Sequence, residues 1–136
     1  MPSPLAPDLP SESGPEPHHG DFWRRIEALV REHPVVIDRP AGSRHPRYLE
    51  FIYPLDYGYL RGTSAADGNG IDTWIGSIGR AVTGVICTVD TQKMDTEVKI
   101  LLGCTREEME IVLAAHNAQS QSGILILREA APADAR

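Results

Sequence analysis

Between Asp38 and Asp95 the sequence places Asp38, Asp56, Asp67, Asp72, Asp90 and Asp95, most of them beside turns or strand ends. The same stretch holds Arg39, Arg44, His45 and Arg47 and tyrosines at 48, 53, 57 and 59, with Glu97 and Lys99 just beyond. Asp67-Gly68-Asn69-Gly70-Ile71-Asp72 is the tightest group. Its glycines permit the positive φ values of a short connection, so the flanking carboxylates can approach one another. Close carboxylates repel by several kcal/mol at low dielectric unless a proton or cation separates them. A hard divalent cation answers that need, and Mg²⁺ is the usual partner of carboxylates with phosphate. The same residue types also make an ordinary Asp-Gly/Asn-Gly hairpin, and the spacing lacks the further acids and closing Glu of an EF-hand.

Asp90, Asp95 and Glu97 form a second acidic group across a short turn, which by itself also reads as a solvated turn. Residues 38–47 supply the opposite charge, with Arg side chains for bidentate phosphate contacts and Lys99 as a point charge. Taken alone, that loop is solvated surface. Together, the three groups offer acids for a metal, bases for a phosphate and tyrosine hydroxyls as donors.

The elements that must position these groups are read from periodicity. Phe22, Trp23, Ile26, Leu29 and Val30 recur at helical spacing, with Asp21 placed to cap the N-terminus and His33-Pro34 to stop the helix. From Val35 to Leu102 the texture is β: VVID, YLEFIYP, YGYL, IDTWIGS, AVTGVICTVD and EVKILLG, punctuated by Gly, Pro, Asn and Asp. Thr105-Arg106-Glu107-Glu108 is a capping box that opens a second helix through about Ala118, with Met109, Val112 and Leu113 inward. GILIL at 123–127 is a final short apolar run, strand or helix. Strands between a leading and a trailing helix, without βαβ alternation, predict an α+β fold with a small antiparallel barrel or sheet. Trp23 and Trp74 read as core or interface residues, and His116 as a solvated or capping residue.

The 136 residues suffice for one compact domain, and 41% hydrophobic residues suffice for its core. Six of the 11 prolines fall in residues 1–20, a segment expected to be disordered. Residues 130–136 are expected to fray, leaving 21–129 as the domain. A net charge of −6 argues against general nucleic-acid or anionic-membrane binding. A barrel with tyrosine stacking platforms for single strands needs a basic groove, and acids interrupt this one. No apolar run reaches membrane-helix length and the N-terminus lacks a signal-peptide pattern. Cys87 and Cys104 match no disulfide or metal pattern and suit a reducing compartment as small buried hydrophobes, so a cytoplasmic location is expected.

Tyr53-Pro54-Leu55-Asp56-Tyr57-Gly58-Tyr59-Leu60, followed by the 67–72 motif, resembles soluble family I inorganic pyrophosphatases, whose pattern is Y-P-x-N-Y-G-[YF]-I and then D-G-D-x-x-D. Ile37 to Ser43 and Arg47-Tyr48 are similar to that family's I-E-x-P-x-G-S and K-Y. Gly84-Val85 leading to Asp90, then Glu97-Val98-Lys99, is similar to its G-V-x-x-M-x-D and D-x-K. The resemblance covers residues 35–102. It implies a small OB-like β-barrel with flanking helices and Mg²⁺-dependent hydrolysis of diphosphate to two orthophosphates. By position it implies metal ligands at Asp67, Asp72 and Asp90, with Asp38 near the metals. Spacing from Asp90 makes Asp95 the last acidic ligand, whereas the step to Lys99 makes it Glu97. Arg47 and Lys99 stand at phosphate-binding positions, and Tyr53 and Tyr57 at active-site tyrosines.

The departures carry chemistry. Asn69 replaces the family's central Asp, which helps activate the attacking water; a carboxamide accepts a hydrogen bond but takes no proton. The chain between Tyr48 and Tyr53 is too short for the usual hairpin with a phosphate-binding Arg, and the family's late Tyr-Lys pair is missing. The expectation is a shortened Mg²⁺-dependent diphosphate hydrolase with Asp67, Asn69 and Tyr57 at the reaction and Arg47, Lys99 and Tyr53 on the substrate. The alternative is a pseudo-enzyme that binds phosphate or a nucleotide-derived anion. A barrel edge bared by the lost hairpin makes a homo-oligomer an open possibility.

Overall fold

Two helices and six strands follow in the order α1 (His19–Glu32), β1 (Val35–Arg39), β2 (Asp56–Leu60), β3 (Ile71–Ile75), β4 (Val82–Asp90), β5 (Asp95–Leu102), α2 (Arg106–Ala115) and β6 (Gln121–Leu127). They belong to a computed structural model that describes residues 18–128. The frayed segment expected at 130–136 and most of the proline-rich segment lie outside the described residues. His19 and Gly20, expected in that proline-rich segment, are helical. Asp21 is not the cap: the helix begins two residues earlier, at His19, after an N-cap His18 without a side-chain bond, and Asp21 pairs with Arg24 inside the first turn. The stop falls where His33-Pro34 places it, with His33 N–H donating to the Leu29 carbonyl.

The fold is α+β, and the strands form one mixed sheet in the order β1-β2-β3-β5-β4-β6. The sheet is open, with β1 and β6 on opposite edges. It is also not wholly antiparallel, because β5 returns beside β3 and pairs with it in parallel over Thr73–Ile75 and Ile100–Leu102. YLEFIYP does not make a strand of the sheet. Pro46 and Pro54 cannot donate to a ladder, and the segment folds as a loop closed by a single Arg44–Ile52 bridge.

Alternation gives the sheet two apolar faces. Leu60, Ile75, Ile100 and Leu102 face one way and are covered by Trp23, Ile26, Leu29 and Val30 of α1. Trp74, Ile86 and Leu101 face the other way, under Met109 and Val112 of α2 and Tyr53 of the loop. Each fully buried aliphatic side chain contributes about 1.5–3 kcal/mol. No helix among the described residues is long and apolar enough to cross a membrane.

Local chemistry fixes α2. The Thr105 hydroxyl accepts from Glu108 N–H at 3.0 Å while Glu108 Oε1 accepts from Thr105 N–H at 2.8 Å. The same Oε1 accepts from Ser77 N–H at 3.2 Å, tying the β3–β4 connection to the helix start. Gly103 sits at φ +59°, where a side chain would strike the Gly79 carbonyl. Cys104 is buried and its thiol is pushed by burial up to about 12, the inert cysteine its composition suggests, whereas Cys87 is half-buried.

Candidate active site

Register brings four polar side chains to one face at the middle of the sheet. Tyr57 lies opposite Trp74 and Tyr59 opposite Asp72 in the β2–β3 pair. The parallel β3–β5 pair sets Thr73 against Ile100, so Asp72 and Lys99, one residue earlier on each strand, are neighbours on the opposite face. Glu97 shares that face two residues before Lys99. Long-range pairing of β2, β3 and β5 thus assembles a cluster that no local segment contains.

Lys99 is its centre. The ammonium donates to Asp72 Oδ2 at 2.8 Å, Glu97 Oε1 at 2.8 Å and the Tyr57 hydroxyl at 2.9 Å. The Lys99 side chain is 8% exposed, Glu97 15% and Asp72 29%, so the opening lies on the carboxylate side. Burial opposes a charge on Lys99, but the two carboxylates outweigh it and hold its pKa above the ordinary lysine value. Burial likewise raises the Tyr57 phenol well above its usual range, so it keeps its proton. The Tyr57 ring also lies beneath the ammonium, 5.4 Å from its centroid, and packs on Trp74 at 4.5 Å.

The other acids take different places. Asp90 Oδ1 accepts from Gln92 N–H, Lys93 N–H and the Ser120 hydroxyl at 3.0, 3.1 and 2.8 Å, which closes the β4–β5 hairpin. Those bonds, Lys93 N–H foremost, hold its carboxyl below the ordinary range. Lys99 faces Ile86, and Asp90 lies four residues further along β4, about 13 Å away at about 3.3 Å per residue. Asp95 faces Asp90 at the same hairpin end, while Glu97 faces Thr88. Of the two readings of the last acid, the register puts Glu97 beside Lys99 and leaves Asp95 at the turn.

Asp67 and Asn69 are exposed on the loop between β2 and β3, where Asp67 Oδ1 accepts Asn69 N–H at 3.0 Å. That bond lowers the Asp67 carboxyl, and Lys99 is near enough to add to the effect. Asp38 is exposed and lies against its neighbour Arg39. Among the described residues, no three His, Cys, Asp or Glu side chains converge as a ready metal cage.

The basic loop wraps around His45. Its Nδ1 accepts Arg47 N–H at 3.0 Å and Tyr48 N–H at 3.1 Å, and its ring lies parallel to Tyr53 at 6.1 Å. Burial first, then the charges of Arg39, Arg47 and Lys93, depress its pKa. Lys93, from the β4–β5 turn, therefore adds a third cation beside Arg39 and Arg47, and nothing in the local sequence foretells it. Tyr53 is buried, with its phenol raised by burial and close to the Arg39 guanidinium. Arg47 is exposed on the loop.

His116 occupies the C-cap of α2, as a capping role would have it, but its ring is buried rather than solvated. Trp74 Nε1–H donates to His116 Nε2 at 3.0 Å, and His116 Nδ1 meets Gln121 Oε1 at 2.6 Å. This chain runs beneath Tyr57 without entering the site.

Solved structures similar to this chain include inorganic pyrophosphatases. No family model matches the sequence, and no curated protein does. An inorganic phosphatase of Anaplasma phagocytophilum is 14% identical, with 68% of this chain and 81% of the other aligned at a TM-score of 0.48. The inorganic pyrophosphatase of Neisseria gonorrhoeae is 19% identical over 65% and 77% at 0.46. That of Helicobacter pylori is 12% identical over 69% and 80% at 0.47.

Proposed function

We propose that the chain binds diphosphate as its magnesium complex and slowly hydrolyses the phosphoanhydride bond. The observation that carries this reading is the Lys99 cluster: a buried ammonium joining Asp72, Glu97 and Tyr57, drawn from the motifs that resemble pyrophosphatases. The donor chemistry suits a hard cation only in part. Asp72 engages Lys99 through Oδ2 and Glu97 through Oε1, so each has a second oxygen for a cation whose remaining ligands are phosphates and water. Among the described residues a cage of three or more acids is not assembled, since Asp90 and Asp95 serve the hairpin. Magnesium therefore belongs to the substrate.

A cation held there would neutralise phosphate charge and acidify a water in its shell. The chain's own residues do the rest. Tyr57 stays protonated and Lys99 charged, which makes both donors to phosphate oxygens. Arg39, Arg47 and Lys93 give the approach a positive field inside a chain of net charge −6. Proton acceptance is the weak link. Asn69 takes no proton, and Asp67, held below the ordinary carboxylate range, is a feeble base. Slow turnover follows.

Asn69 and the diverted Asp90 also favour a second reading, in which magnesium diphosphate is bound and not cleaved. Orthophosphate release by the purified chain, with Lys99→Met as control, separates the two. Magnesium-dependent release abolished by Lys99→Met supports hydrolysis; binding without release supports the second reading. Neither binding nor release refutes both.

A further inference from the structure

We infer that β6 pairs with β6 of a second copy of this chain, in a two-fold antiparallel ladder centred on Ile126. β6 (QSGILIL) is the apolar run at one edge of the open sheet, and it carries no charge and no proline. It follows β4 through seven rungs without a bulge. The opposite edge differs: β1 is broken by a register shift between Ile37 and Arg39 and carries Asp38 and Arg39. Bulges and charges keep a sheet edge from adding a further strand, and β6 has neither.

Hydrogen bonds at the two ends of the β4–β6 pair set which groups face outward. Arg128 N–H donates to the Thr83 carbonyl at 3.1 Å, and Thr91 N–H to the Ser120 carbonyl at 3.1 Å. With the register unbroken between them, even-numbered residues of β6 turn N–H and C=O toward β4 and odd-numbered ones away from it. Part of that outer edge is already covered. Gln121 N–H donates to the Ala118 carbonyl, and the Asn117 amide stands in for a strand at Gly123, accepting its N–H and donating to its carbonyl, at 3.1 Å each. Among the described residues, nothing bonds the outward groups of Leu125 and Leu127.

That window is self-complementary. Antiparallel pairing about Ile126 sets Leu125 against the partner's Leu127 and Leu127 against the partner's Leu125, each pair exchanging both of its backbone hydrogen bonds. It puts Ile126, 43% exposed, directly opposite the partner's Ile126, and Ile124, 62% exposed, against the stem of the partner's Arg128. The Arg128 head is held by Glu27, so the contact sets no like charges together in a chain of net charge −6. Asn117 blocks a shift of the ladder toward Gly123, and the strand ends at Leu127. So small a contact makes a reversible dimer, and it leaves the Lys99 cluster on β2, β3 and β5 open.

The test is sedimentation velocity of the full chain from about 1 µM to about 1 mM. A sedimentation coefficient that rises with concentration is expected. Ile126→Lys sets two ammonium groups opposite each other and is expected to weaken the dimer at least about tenfold. Ser122→Lys adds the same charge on the same face, outside the ladder, and is expected to leave the dimer intact. Cysteine variants read the register without adding charge. In a Cys87→Ser background, Ile126→Cys is expected to form an intermolecular disulfide under mild oxidation, since opposite residues lie within disulfide reach. Ser122→Cys, about 27 Å from its counterpart in the ladder, is not. A chain that stays monomeric to about 1 mM overturns the inference. So does a dimer that a folded Ile126→Lys leaves intact, or one that links through Ser122→Cys and not through Ile126→Cys.

Discussion

Acidification should unlatch the core through His116 before it reaches the carboxylates. The residue is 8% exposed, and its ring is held between the Trp74 indole N–H and Gln121. Because Nε2 accepts from Trp74, the proton belongs on Nδ1, and a second proton would set two N–H groups against each other. Burial is the main reason the pKa falls from 6.5 to about 4; nearby Lys99 adds to it, while Gln121 and Asp72 oppose it. The folded state therefore disfavours the charged ring. Stability is complete above the unfolded pKa and is lost as pH falls through the folded one. At about 1.4 kcal/mol per pH unit, the interval from 6.5 to about 4 removes about 3 kcal/mol. That is a large part of the roughly 5–15 kcal/mol available to a domain. The assay is urea unfolding followed by far-ultraviolet circular dichroism across that interval, for wild type and for His116→Gln, which retains an acceptor for Trp74. Asp67, Asp90 and Glu108, each held below its ordinary value, titrate in both proteins and cancel in the difference. Wild type should lose about 3 kcal/mol relative to the variant over the interval. Parallel pH dependence of the two proteins would refute the reasoning.

Asn69→Asp restores a proton acceptor on the exposed loop and should raise magnesium diphosphate hydrolysis, by as much as about 10²-fold, with a new acidic limb in the pH–rate profile. Unchanged turnover in a folded variant counts against a base deficit. Glu97→Gln should weaken magnesium diphosphate binding by calorimetry, whereas Asp90→Ala should lower Tm and leave that affinity intact, because its carboxylate closes the hairpin. The opposite pattern would return Asp90 to the site. Thr105→Ala removes the acceptor of Glu108 N–H and should cost about 1 kcal/mol in chemical denaturation. Gly103→Ala, which drives a methyl group against the Gly79 carbonyl at positive φ, should lower Tm more than Thr105→Ala does.

What the sequence makes legible is what short-range chemistry decides. Thr105 and Glu108 are three residues apart, so the box that starts α2 forms wherever the rest of the chain goes. His33-Pro34 ends α1 for the same reason, since the clash with proline acts on the residue directly before it. Residues 48–54 mislead because their apolar spacing suits a strand while their backbone bonds run to Gly42, Ser43 and His45 within one closed loop. Periodicity reports which side chains seek cover and is silent about which strand lies alongside. The open sheet and the parallel β3–β5 pair therefore left no mark in the pattern.

The same distinction separates the acids. From spacing, Asp95 and Glu97 compete for the last acidic position, one favoured by the step from Asp90 and the other by the step to Lys99. The hairpin resolves them by pairing Asp90 with Asp95, which moves Glu97 two rungs inward, opposite Thr88. Side chains two residues apart on a strand share a face, so Glu97 reaches Lys99 directly while Asp90 is left to satisfy the turn's own N–H groups. Hairpin length thus sets how many carboxylates face the ammonium. With Asp72 and Glu97 both bonded to Lys99 and no larger acidic cage among the described residues, that face holds one buried ammonium between two carboxylates.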